Sequence, residues 1–309
     1  MSVDLQVEFA GLRLKNPVIA ASGTFGYGVE FAELVDLNRL GGLVVKGLSA
    51  QPMEGAPAPR LCETPAGMLN AVGLQNIGVR RFIEEKLPAL RAYDTAIIAN
   101  VFGTTTGEYV EVIEQLNQAD GLAAYELNIS SPNTERGGAQ IGTRPDLTRE
   151  VVAACRRAAR RPLIVKLSPN VTSIAELARV AEEAGAEALS VANTFTGMAI
   201  DLARRRSKLG RATGGLSGPA IKPLALRLVW EAARAVRIPV IGMGGITTGE
   251  DAAEFLVVGA RAVQVGTASF VQPFAARRIL KELGTYCCRS KIAAVAELYG
   301  TFTADGSEA

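Results

Sequence analysis

Histidine is absent from this chain of 309 residues. The commonest general base and the commonest metal ligand are therefore missing. Any acid–base chemistry falls to Ser, Cys, Lys, Tyr, Asp or Glu. Cysteine is scarce: Cys62, Cys155, Cys287 and Cys288 are the four present, and no C-x-x-C pair occurs. A zinc or iron–sulfur site within the chain is not expected, and the thiols read as free. No apolar run reaches the about 18 residues that span a bilayer. The start, MSVDLQVEF, lacks the basic and apolar regions of a signal peptide. A cytoplasmic location without membrane contact is expected. The 33 basic and 31 acidic residues leave a net charge of only +2, so there is no basic excess to suggest a nucleic-acid surface.

What the chain has in quantity is short apolar, β-branched runs alternating with amphipathic stretches. Strands are expected near Val18–Ala21, Leu43–Val45, Ala96–Ala99, Tyr125–Leu127, Leu163–Val165, Ala188–Val191, Val240–Ile241 and Ala262–Val265. Their near-continuous apolarity suits strands buried on both faces. Helical periodicity marks Val79–Leu90, Glu108–Gln118, Leu147–Ala159, Ile174–Ala184, Leu224–Ala235, Gly249–Val258 and Phe274–Leu283, with a weaker pattern at Val29–Val35. This alternation predicts a parallel sheet, and eight units in this length predict a single-domain α/β fold over residues 1–309, a closed (β/α)8 TIM barrel. The rival doubly wound sheet should open on G-x-G-x-x-G, which residues 22–27, S-G-T-F-G-Y, do not supply. Long connections follow strands 2, 4 and 6: Gly47–Tyr93, Ile129–Pro145 and Phe195–Pro219. Loops of that length in compact domains tend to be lids or binding loops.

The residues just past the strands carry the functional signal. They are Ser22, Lys46, Asn100, Asn128, Lys166, Asn193 with Thr194, Gly244 with Gly245, and Gly266 with Thr267. In a barrel these positions converge on one mouth, where active sites sit. Glycines after strands 7 and 8 let backbone N–H groups approach an anion closely, and those two loops form the common phosphate site of the fold. Gly218 is a third candidate for that grip. Lys46 and Lys166 each end an apolar strand, so each ammonium is expected near bound negative charge. Two cations suit a cofactor that gains negative charge on reduction, such as a flavin. A Schiff-base lysine of an aldolase-type lyase is the competing reading. Arg204-Arg205-Arg206-Ser207-Lys208, after strand 6, reads as a solvated charged loop or as a steering patch for an anion or partner.

Four separated motifs sharpen this. Asn70-Ala71-Val72-Gly73-Leu74-Gln75-Asn76, Asn128-Ile129-Ser130-Ser131-Pro132-Asn133, Val191-Ala192-Asn193-Thr194 and Gly242-Met243-Gly244-Gly245-Ile246 together resemble dihydroorotate dehydrogenase, from about Leu5 to Leu283. Val45-Lys46-Gly47-Leu48, Pro59-Arg60, Glu63-Thr64 and Gly67-Met68-Leu69-Asn70 resemble most the class 1B catalytic subunit. The resemblance implies an FMN cofactor and oxidation of (S)-dihydroorotate to orotate in pyrimidine biosynthesis, with base-assisted hydride transfer to flavin N5. It implies FMN contacts from Ser22, Lys46, Gly47, Asn100, Asn128, Lys166, Gly218, Gly244, Gly245, Gly266 and Thr267. It implies substrate contacts from Lys46, Asn70, Ala71, Val72, Gly73, Leu74, Asn128, Asn133, Asn193 and Thr194, with Lys46 also at the reaction centre. Asparagine suits a cyclic imide because one side chain offers a donor and an acceptor. The resemblance further implies a homodimer and a partner subunit carrying FAD and an iron–sulfur cluster that passes electrons to NAD.

One position departs from class 1. Its enzymes carry cysteine as the base, whereas this chain has Ser131, the pattern of the membrane-associated class 2 enzymes, whose N-terminal membrane-binding extension is not in this sequence. An unperturbed thiol titrates near about 8.5, and a serine hydroxyl is far less acidic. Serine needs a neighbouring acceptor or proton relay to act as base. Thr194 or an ordered water is the candidate. Alternatives are a fumarate-dependent dihydroorotate dehydrogenase, a quinone-dependent one, an FMN oxidoreductase like the barrel domain of dihydropyrimidine dehydrogenase, and a catalytically impaired flavin-binding paralogue.

Overall fold

The computed structural model describes residues 3–130 and 139–303. Among them, eight parallel strands close into a barrel. They are β1 (Val18–Ala20), β2 (Gly42–Val44), β3 (Ala96–Val101), β4 (Ala124–Asn128), β5 (Leu163–Lys166), β6 (Ala188–Val191), β7 (Val240–Met243) and β8 (Ala260–Val265). Each pairs with the next, and β8 closes on β1 through Val263↔Val18 and Val265↔Ala20. The expected (β/α)8 architecture is the observed one. Side chains of β2, β4, β5, β6 and β7 are buried throughout, as strands walled by helices outside and by each other inside must be.

Helices at 79–90, Thr106–Asn117, Pro145–Ala158, Ile174–Glu183, Lys222–Ala235, Gly249–Val257 and Ala275–Arg289 cover the outside. The first contains a wider turn over Phe82–Lys86. Short polar residues start several of them. Thr105 accepts from the Glu108 N–H, Ser173 from the Glu176 N–H, and Thr248 with Asp251 forms a capping box. In Thr106–Asn117 the buried residues are Tyr109, Val112, Ile113 and Leu116, the i, i+3, i+4, i+7 stripe of a helix lying on the barrel. Two expectations are corrected. Val29–Val35 is not a helix but a single 3₁₀ turn, Val29–Phe31, because Gly28 at φ 95 precedes it without a side-chain cap. The last helix runs past Leu283 to Arg289, its apolar face continuing through Cys287.

The long connections after β2 and β6 are partly ordered as strands. Leu61–Thr64, Gly67–Asn70, Gly214–Ser217 and Phe195–Gly197 form a four-stranded antiparallel sheet. Gly215 pairs with Asn70 and Ser217 with Met68, so segments about 145 residues apart in sequence meet at the strand ends. This sheet has its own small apolar centre of Leu69, Ala71 and Leu209. A hairpin of Val7–Phe9 and Leu12–Leu14 precedes β1. No helix among the described residues is long and apolar enough to cross a membrane.

Candidate functional site

The C-terminal ends of the strands and the antiparallel sheet border a cleft that opens to solvent. Of the residues expected there, Ser22, Lys46, Gly47, Asn70, Val72, Gly73, Leu74, Asn128, Lys166, Asn193, Thr194, Gly218, Gly244, Gly245, Gly266 and Thr267 line it. Asn100 and Ala71 do not. Both are fully buried behind the lining, Asn100 in the barrel interior and Ala71 in the small core of the sheet. Ser131 and Asn133 lie outside the described residues.

One end of the cleft is walled by glycine. Gly244 and Gly245 follow β7 with φ of 125° and 73°, and Gly218 has φ 95°. A Cβ on Gly245 would approach the Lys222 backbone nitrogen to 2.8 Å and the Gly218 carbonyl to 2.9 Å; one on Gly218 would meet Gly67 Cα at 2.7 Å. These glycines are required by close backbone packing and by left-handed dihedrals. Gly266 is different. The nearest protein atom to a Cβ there is Ala21 Cβ at 3.6 Å, an ordinary contact. Its missing side chain leaves room in the cleft that the protein itself does not need. The loop after β7 is braced from outside. Asp251 accepts from the Thr247 N–H, the Thr247 hydroxyl and the Thr248 N–H, each at 2.8 Å, and from Lys222 Nζ at 2.7 Å. Burial alone would raise the Asp251 carboxyl, but the bonds from Lys222, Thr247 and Thr248 outweigh it and hold it down at about 2.

The electrostatics of the cleft are one-signed. Its lining includes two ionisable side chains, Lys46 and Lys166. Lys166 is 5% exposed. Desolvation lowers both ammonium pKa values; Lys166 and Arg60 depress Lys46 further, while Glu126 partly offsets the fall at Lys166. Arg60 is held nearby by the Ala56 and Glu54 carbonyls and by Gln75 Oε1. Neither lysine forms a hydrogen bond or ion pair with another described residue. Burying an ammonium without a partner costs several kcal/mol, so the cleft is built to receive negative charge.

The other end is lined by amides. Asn193 Nδ2 donates to Ser130 Oγ at 3.0 Å, and the Thr194 N–H donates to Asn193 Oδ1 at 2.8 Å. Asn170 steadies this loop, donating to the Thr194 carbonyl at 3.2 Å and accepting from the Thr196 N–H at 2.9 Å. Asn70 Nδ2 donates to the Gly215 carbonyl at 3.1 Å, across the antiparallel sheet. Tyr109 Oη donates to the Asn128 carbonyl at 2.9 Å, fixing the exit of β4. Asn76, the last residue of the first motif, braces its loop instead of lining the cleft. It accepts from the Gly78 and Ser49 N–H groups and donates to the Leu74 carbonyl.

Sequence reasoning missed part of the site. Thr24, Met68, Ser217, Ile246, Thr247, Gln264 and Phe270 also line the cleft. Glu126, Ser190 and Gln264 form a polar layer inside the barrel, each at most 1% exposed. The signal was present: each is a polar residue buried within a mostly apolar strand, a position that a purely structural strand would fill with Val or Ile.

A glycine-walled, electropositive cleft with amide-rich surroundings at the strand ends of a (β/α)8 barrel has the form and place of an enzyme active site suited to an anionic ligand. The family model described as dihydroorotate dehydrogenase matches residues 4–286. A relative from Solibacter usitatus, provisionally named dihydroorotate dehydrogenase A (fumarate), is 62% identical over 97% of this chain and 99% of its own. Relatives named dihydroorotate dehydrogenase B (NAD(+)), catalytic subunit, are 55% identical in Geotalea uraniireducens and 56% in Geobacter sulfurreducens, each covering 96% of this chain and 97% of the relative. The crystal structure of the Eimeria tenella dihydroorotate dehydrogenase in complex with ferulenol shares the fold, with a TM-score of 0.82 at 24% identity over 96% of this chain and 88% of that one. The chain belongs to the dihydroorotate dehydrogenase family, flavin-dependent oxidoreductases of pyrimidine biosynthesis.

Proposed function

We propose that this chain is the catalytic subunit of a class 1B dihydroorotate dehydrogenase, binding FMN and oxidising (S)-dihydroorotate to orotate. The observation that carries the reading is the buried Lys166 ammonium with the half-buried Lys46, neither paired with another described residue, in one cleft with the glycine loops after β7 and β8. FMN fits this donor set: Gly218, Gly244, Gly245, Gly266 and Thr267 would take the phosphate, and Ser22, Gly47, Asn128 and the two lysines would surround the ring and its chain. Asn100 contributes from beneath, through its bond with Asn128. When bound, FMN supplies the acceptor for the hydride removed from the substrate.

The protein's share is orientation, charge and proton handling. Asn70, Asn128, Asn193 and Thr194, with backbone from Ala71 to Leu74, would pair with the imide edge and carboxylate of the substrate. Asn133 belongs to the same set by sequence. Lys46 would compensate substrate carboxylate and cofactor charge together. Lys166 would stabilise negative charge gained on reduction. Ser131 is the proposed base, taking the proton that leaves as the hydride departs.

The electron outlet follows from names shared with relatives. The catalytic subunits named for NAD(+) are paired by that name with another subunit, and we assign the same arrangement here, with an FAD and iron–sulfur partner, a homodimeric catalytic core and a cytoplasmic location. The relative named for fumarate favours the second reading, direct oxidation of the reduced flavin by fumarate. The test begins with acid release and mass analysis of the cofactor from the purified chain, then turnover of dihydroorotate and of dihydrouracil. FMN with orotate formed from dihydroorotate alone supports the reading. Another cofactor, or equal use of dihydrouracil, contradicts it. Turnover with fumarate by the chain alone would replace the class 1B assignment.

A further inference from the structure

Glu126 lies in the middle of β4, fully buried, and is not itself part of the cleft lining. Its two carboxylate oxygens collect three donors from three other strands. Asn100 Nδ2 of β3 donates to Oε1 at 2.7 Å; Ser190 Oγ of β6 and Gln264 Nε2 of β8 donate to Oε2 at 2.7 and 2.6 Å. The Asn100 amide, with its nitrogen held by the carboxylate, turns its oxygen towards the mouth, where it accepts from Asn128 Nδ2 at 3.3 Å. Asn128, with its nitrogen so engaged, turns its oxygen towards Ser130, whose hydroxyl donates to it at 3.4 Å. Ser130 Oγ in turn accepts from Asn193 Nδ2 at 3.0 Å. Every donor in this chain points inward, from the cleft to Glu126.

We infer that Glu126 is a positioning residue for substrate recognition: a carboxylate at the base of the chain that fixes which way the Asn128 amide faces the bound ring, while the Thr194 N–H fixes Asn193 from the other end. The inference rests on the proposal that Asn128 holds the substrate. An asparagine presents a donor on one side and an acceptor on the other, and the two orientations have nearly the same shape. A group that cannot donate makes the choice one-way. With glutamine at 126 the terminal group offers both, Asn100 and Asn128 have two directions of similar energy because the Ser130 hydroxyl can donate to Asn128 or accept from it, and the site must be ordered by the ligand at a cost in affinity. A cyclic imide reads donor and acceptor positions in sequence, so a reversed amide opposes like groups.

A purely structural role for Glu126 would be to satisfy the polar layer, and a second variant separates the two. In Glu126→Gln the layer loses its carboxylate and Asn100 loses its one-way partner. In Ser190→Ala the layer loses one donor to Oε2, whereas the bond from Asn100 to Oε1 is untouched. Both variants are compared with the wild-type holoenzyme at saturating FMN, measuring thermal unfolding and the Kd of orotate from the perturbation of the flavin absorption band. Glu126→Gln is expected to weaken orotate about tenfold, the scale of one charged hydrogen bond lost. Ser190→Ala is expected to lower thermal stability and leave orotate within twofold of wild type. Orotate affinity within twofold of wild type in Glu126→Gln, or weakened equally in Ser190→Ala, overturns the inference. If Glu126→Gln does not fold, Asn100→Ala, which cuts the chain directly above Glu126, is expected to give the same loss, and unchanged orotate affinity there overturns the inference. Failure of the wild-type protein to bind orotate would instead sink the proposed function.

Discussion

Thr267 donates its hydroxyl to Ser217 Oγ at 2.8 Å, tying the loop after β8 to the antiparallel sheet over the mouth. Both residues line the cleft, so its glycine-walled end and its cover are joined by a side-chain bond. Ser217→Ala removes it. The expected loss is about 1 kcal/mol of FMN affinity, the net worth of a neutral hydrogen bond. Titration of apoprotein with FMN by fluorescence quenching measures it, and an unchanged Kd would show that the cover is held by the sheet alone.

Two glycines of the proposed phosphate end are expected to separate folding from binding. Gly218→Ala places a Cβ 2.7 Å from Gly67 Cα at positive φ, so it is expected to lower thermal stability as well as FMN binding. Gly266→Ala meets nothing closer than 3.6 Å, so the apoprotein is expected to unfold at the wild-type temperature while FMN binding is lost. Calorimetry with and without FMN distinguishes the two. Equal destabilisation of both apoproteins would show that the space at Gly266 serves packing.

Lys166 trades stability for binding. Burial lowers its pKa in the folded chain, with Glu126 offsetting part of the fall. The unfolded chain therefore binds more protons below the ordinary lysine pKa of about 10.4. Apoprotein stability should rise with pH through that window and the penalty should persist at neutral pH. Lys166→Met is expected to flatten this pH dependence, to raise or preserve the apoprotein unfolding temperature, and to weaken FMN at least about tenfold. Chemical denaturation between pH 7 and 10 with parallel FMN titrations checks it.

Asp251 gives the opposite sign. Its carboxyl is held at about 2 in the folded chain, below the unfolded value of about 3.9. Its contribution is fully present above the unfolded value and is lost as pH falls towards 2. Asp251→Asn is expected to reduce stability at pH 7 and to make the acid limb of the stability curve shallower. Denaturation midpoints from pH 7 to pH 2.5 test this, and parallel curves for the two proteins would contradict it.

The barrel was legible because its eight strands are short apolar runs with nothing else to be, and because each ends on a polar residue or glycine. All eight are present within a few residues of their expected bounds. The site was legible wherever a polar residue stood outside an apolar run, as Lys46, Asn128 and Lys166 do. It was not legible where a polar residue hid within one. Glu126, Ser190 and Gln264 were absorbed into apolar strands, and their role depends on pairings across the barrel that no local pattern encodes. The antiparallel sheet was missed for the same reason: Leu61–Thr64 alternates exposed and half-buried residues, and its partners Phe195–Gly197 and Gly214–Ser217 lie far along the chain. Asn100 was placed at the mouth by its position at a strand end, whereas β3 runs one residue further, to Val101, and keeps it inside.

The central claim is that this mouth oxidises dihydroorotate on a bound flavin with Ser131 as base. Anaerobic stopped-flow mixing of the FMN-loaded chain with (S)-dihydroorotate tests it most directly. The expected result is bleaching of the oxidised flavin band with one orotate formed per flavin, much slower in Ser131→Ala at unchanged FMN content. A flavin band that dihydroorotate leaves untouched would contradict the account, and equal rates in the two proteins would remove Ser131 from it.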